Sequence, residues 1–249
     1  MQLQMLFDRF EDDRALILLS SSIYDTLRPM SEDGVTYINQ LSDIVDTSLP
    51  ALNSVKIIVE ENETFLAHLY NIDDPVADYA GKTVYAFWDE DAHSIILNKE
   101  FIRTHRMKTT ITHELRHALD EIRANSYPGN ALRYFTPKKK EHRKNDPYST
   151  VKYRAAPAEI NARFVEVLDI LSKRIPKWYA KLDPSEIKKQ LSIDFKNLLV
   201  KFEIADLFPE KTQSVDYRRL IKRAYSFMQK ELHHIEASPD NLVQATGNW

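Results

Sequence analysis

The chain has 249 residues, 43% of them hydrophobic, enough to bury a core in one large domain or two small ones. Its net charge of -3 gives no global bias toward nucleic acid. The absence of cysteine excludes a disulfide framework, a thiol nucleophile and a cysteine zinc finger.

The N-terminus, MQLQMLFDRFEDDRALILLSSS, lacks a basic n-region and has acidic residues inside its apolar stretch, so no signal peptide is expected. The longest apolar runs are too short to span a bilayer. These features lead to a cytoplasmic expectation, with no membrane and no nucleic acid among the partners. Charge is uneven: residues 1–60 hold ten acidic and four basic residues, whereas residues 124–156 hold two and eight.

In chain order, residues 4–27 read as a helix and residues 35–52 as a second one, ended by Pro50. The β-branched, partly alternating stretch from Ser54 to Glu61 reads as a strand. Two further strands, Val84 to Trp88 and Ser94 to Asn98, are joined by the turn DEDAH as a hairpin. Ile111, Leu115, Ala118, Leu119 and Ile122 then recur with helical spacing, and NSYPGN stops that helix. Residues 124–156 form a long punctuated loop containing the basic run Lys138 to Lys144. A strong helix begins at Pro157, with Ile160, Phe164, Val167, Leu168 and Leu171 as its apolar stripe. Helices over residues 184–204 and 212–235 close the chain. The fold class expected is α+β, with a small sheet in the first half and helices after it.

The chemistry concentrates in ITHELRHALDE, Ile111 to Glu121. His113 and His117 are four apart, so both imidazoles lie on one side of a helix and can grip one ion. Glu114 sits beside the first and can reach a water on that ion. This is the His-Glu-x-x-His arrangement, in which zinc acidifies water and the glutamate takes the proton. A bland alternative is a pair of solvated helix histidines. A catalytic zinc takes three protein ligands and leaves one position open. A metzincin would place its third histidine where Arg123 stands, which excludes that subclass. Glu159, 42 residues after His117 by subtraction, is the candidate third ligand, with Glu166 as rival and a surface Glu159–Arg163 pair as the bland reading. Arg163 is a candidate partner for the ligand carboxylate. Asp120 is a candidate acceptor for a ligating imidazole, or else a solvated helix residue. His68, His93, His105, His142, His233 and His234 lack ligand spacing and read as structural or exposed.

With these residues in place, the chain resembles a zincin metallopeptidase of the gluzincin type. The pairing HELRHALD … PAEINAR is also similar to metallopeptidases encoded by bacteriophages and to lethal factor-like proteases. The resemblance covers about residues 84–171. It implies a small mixed sheet over the active-site helix, with Ser94 to Asn98 as the edge strand that a substrate peptide extends. It implies a Zn2+ cofactor, a protein or peptide substrate, and host cytoplasm or virion as location if phage-encoded. It also implies an oxyanion donor, for which Tyr153 and Tyr148 are the candidates. The organisation expected is an N-terminal helical segment (1–53), a zincin-like metallopeptidase core (54–175) and a C-terminal helical segment (176–249). The alternative function is a structural or assembly protein, such as a virion component, that keeps the fold without protease activity and meets an assembly partner or forms a homo-oligomer.

Overall fold

The computed structural model describes residues 10–30, 37–38, 49–72, 83–126, 157–208 and 215–237. Its elements are helix α1 (Phe10–Met30), strand β1 (Tyr37–Ile38), strand β2 (Lys56–Glu60), helix α2 (Asn62–Ile72), strands β3 (Ala86–Asp89) and β4 (Ser94–Asn98), and helices α3 (His105–Ser126), α4 (Pro157–Tyr179), α5 (Pro184–Lys201) and α6 (Val215–Ala237). The fold is α+β, mostly helical, with one small sheet. No helix of the described residues is long and apolar enough to cross a membrane.

The chain divides into two compact units, residues 14–162, and residues 1–13 with 163–249. This differs from the three segments expected from the sequence. Most of α1 belongs with the sheet, because Ser20 on α1 and Thr112 on α3 share a buried hydrogen bond of 2.7 Å and Tyr24 reaches the Arg103 carbonyl. α4 passes from one unit to the other after Ala162.

In the first unit the sheet is mixed, in the order β1-β2-β4-β3. β2 runs parallel to β4, while β1 on β2 and β3 on β4 are antiparallel. Two expectations are corrected here. Tyr37 and Ile38 form a strand inside the stretch read as a helix, because their backbone pairs with Ile58 and Ile57; the flanking residues 35–36 and 39–48 lie outside the described residues. Ser94–Asn98 is not the edge strand. It is bonded on both sides and wholly buried, which suits its Ile-Ile-Leu centre, and β1 and β3 are the outer strands among the described residues.

Alternation along the strands gives the sheet two faces. Ile58, Phe87 and Ile96 share one face and form a core with Phe65 and Leu69 of α2. This short helix was not anticipated, although Phe65 and Leu69 stand at helical spacing. His68 fastens it further: Nδ1 lies 3.0 Å from Glu60 Oε1 of β2 and Nε2 3.1 Å from Asp89 Oδ2 of β3. Val59, Ile95, Leu97 and Trp88 belong to the opposite face, toward α3, and Trp88 Nε1 donates to Glu121 Oε2 of α3 at 2.7 Å. The hairpin turn closes where Asp89 Oδ1 accepts from the backbone N–H groups of Asp91 and Ala92, with His93 left-handed at φ 55°.

The second unit is helical. Phe164 of α4 meets Phe195 of α5, and Arg174 pairs with Asp194. A capping box of Asp183 and Glu186, with Pro184 in the first turn, starts α5. Arg223 of α6 pairs with Asp13 in a buried ion pair and stacks over Phe164.

Candidate metal centre

α3 is a 22-residue helix; of its expected apolar stripe, Ile111, Leu115, Ala118 and Leu119 have no exposed surface and Ile122 is partly buried. The helix is thereby held from one side. His113 and His117 leave that stripe and are partly exposed, with 15% and 17% of their side chains accessible. Their rings stand 4.7 Å apart, and the two Nε2 atoms approach to 3.0 Å. α4 begins at Pro157, where the missing N–H costs nothing, and Glu159 falls in its first turn. Glu159 is buried, and its Oε2 lies 3.2 Å from His117 Nε2 and 3.7 Å from His113 Nε2.

These three residues form the one group among the described residues that could hold a metal ion. Three ligands bonded to zinc at 2.0–2.1 Å in a tetrahedron stand about 3.3–3.4 Å from one another. The separations of 3.0, 3.2 and 3.7 Å bracket that spacing. Two imidazole nitrogens and a carboxylate oxygen are also a donor set that zinc accepts. The residues therefore fit the ion. Burial by itself raises the Glu159 carboxyl. The charges of the two histidines and their hydrogen bonds outweigh that effect and hold it well below the usual carboxylate range. It is thus an anion directed at the point where the imidazoles meet. His68 is built differently. Its two nitrogens engage separate carboxylates, so the donors do not converge.

Glu114 is buried beside His113 on α3. Asp120, expected as an imidazole acceptor or a solvated residue, is not solvated. It is buried, and its carboxylate meets Arg116 of the same helix and Asn161 of α4. Arg163 Nη1 lies 3.5 Å from the Phe202 carbonyl and 3.4 Å from Glu203 Oε2, in the helical unit. Glu166 is partly buried and does not join the metal group. Tyr148, Tyr153 and the basic run Lys138 to Lys144 lie outside the described residues. Arg116 and Asn161 escaped the sequence reading. Arg116 is almost fully buried inside the HELRH run, and no residue pattern distinguishes it from a solvated arginine. No protein-family model, curated protein or solved structure matches the chain.

Proposed function

We propose that the protein is a zinc-dependent endopeptidase of the zincin type, with His113, His117 and Glu159 as metal ligands and Glu114 as general base. The observation that carries the reading is the convergence of Glu159, from a second helix, on the Nε2 atoms of two histidines already paired on α3. Solvated helix histidines have no need of a buried carboxylate from another helix.

A zinc ion bound there supplies Lewis acidity, acidifying water and polarising a carbonyl. The two imidazoles and the Glu159 carboxylate would hold that ion, the three protein ligands that a catalytic zinc takes. Glu114 adjoins the first ligand, and its carboxylate accepts the proton of the attacking water and passes it to the departing amine nitrogen.

The test is the metal content of the native protein, purified without chelator or His-tag, beside His117→Ala, Glu159→Ala and Glu114→Gln. About one zinc per chain is expected in the native protein and Glu114→Gln, and none in the other two. Cleavage of a proteome-derived peptide library, read by mass spectrometry, should fall by about 10²–10⁴-fold in Glu114→Gln. No metal even after zinc is supplied would sink the reading. Zinc bound without any cleavage would favour the assembly role instead.

A further inference from the structure

Helical pitch sets the distance between His113 and His117, but not the distance from either to Glu159. Glu159 stands 42 residues beyond His117 by subtraction, so its place depends on how the first turns of α4 pack against α3. Apolar burial holds two helices together without direction. A metal site demands more, since its ligands must be kept within about 0.5 Å of the productive geometry.

Close to the ligands, a directional contact joins the two helices. Asn161 Nδ2 donates to Asp120 Oδ2 at 2.7 Å. Asn161 follows Glu159 by two residues on α4, and Asp120 follows His117 by three on α3. Both are buried, Asn161 completely. Asp120 is in turn fixed on its own helix: Arg116 Nε donates to Oδ2 at 3.0 Å and Arg116 Nη2 lies 2.6 Å from Oδ1. A two-point guanidinium contact of this kind sets the plane of a carboxylate as well as its position. Sliding α4 along α3 would stretch the Asn161–Asp120 bond in a place that water does not easily refill.

We infer that Asp120 and Asn161 are positioning residues for the metal ligand Glu159, with Arg116 as the anchor that orients Asp120. The inference rests on the reading of His113, His117 and Glu159 as a metal site. Neither positioning residue touches the ion. They set where the third ligand stands.

The test is zinc affinity, measured by competition with a chromophoric chelator, for the native protein, Asn161→Leu and Ile57→Val. Leucine keeps asparagine's branched outline, with bulkier ends, and cannot donate. Ile57 is a fully buried β2 residue of the same unit, and its truncation lowers stability without reaching the clamp. Asn161→Leu should bind zinc about 10–100-fold more weakly, and Ile57→Val should bind like the native protein. The cobalt-loaded Asn161→Leu protein should show altered visible bands, a signature that stability alone does not move. If Asn161→Leu fails to fold, Asn161→Ser, whose hydroxyl is too short to reach Asp120, is read against the same expectation. An unchanged affinity in the asparagine variant, beside a native protein that binds zinc, overturns the positioning role and leaves the metal site standing. A native protein that takes up no zinc overturns both.

Discussion

Trp88 illustrates how much one polar atom contributes at a partly buried contact. The indole is buried at the sheet edge and donates to Glu121 at 2.7 Å, linking β3 to α3. Hydrogen bonds to charged groups contribute about 1.5–3 kcal/mol each. Trp88→Phe keeps most of the apolar contact and removes the donor, so it should lower stability by about that amount in urea unfolding. Asp120 shows how a residue's type alone can mislead. An aspartate one turn beyond a candidate ligand histidine has an obvious use as an imidazole acceptor, and here its carboxylate meets a neighbouring helix. Its partner was not identifiable from spacing, because Asn161 is 41 residues away and only packing brings the two side chains together.

At the scale of elements, α3 has one face fixed in the core and the other carrying the histidines. Leu115 lies between the two histidines in sequence but on the buried side, with no exposed surface. Truncating a buried leucine costs about 2–5 kcal/mol through lost transfer energy and the cavity left behind. Leu115→Ala should lower stability within that range in chemical unfolding. It should leave the zinc stoichiometry at saturation unchanged, because no ligand is removed. This helix was legible in advance, since its 3.6-residue periodicity is strong and one-sided. The strands at residues 56–60, 86–89 and 94–98 were legible too, within a residue or two at each end. Their order was not. Alternation says which residues share a face and nothing about which strand lies beside which. The edge position for Ser94–Asn98 rests on the resemblance alone, and the strand lies at the centre instead. Helix α2 was missed for a related reason. Eleven residues make only about three turns, too short to persist alone, and its stability comes from the sheet face it covers.

At the scale of the molecule, metal binding is a folding term. A ligand that binds the native state alone adds about 2.7 kcal/mol when its concentration is 100 times its dissociation constant. Zinc should therefore raise the thermal midpoint of the metal-free protein and leave that of His117→Ala unchanged, as read by calorimetry. The same addition should slow amide exchange in α3 and in the first turns of α4, the segments that carry the ligands. No gain in midpoint for the native protein would argue against a preformed site.

What the amino-acid sequence determined by itself is local. It includes the amphipathic face of α3, the His113–His117 pair on the side away from that face, and the start of α4 at Pro157. Each follows from backbone geometry repeated every few residues, which needs no knowledge of the rest of the chain. What only the tertiary structure decided is non-local. It brought Glu159, rather than Glu166, to the two histidines and put Asp120 against Asn161. It also folded α1 into the same unit as the sheet. These contacts join residues tens of positions apart, and they exist because burying several apolar faces at once leaves few arrangements that also satisfy the polar groups between them.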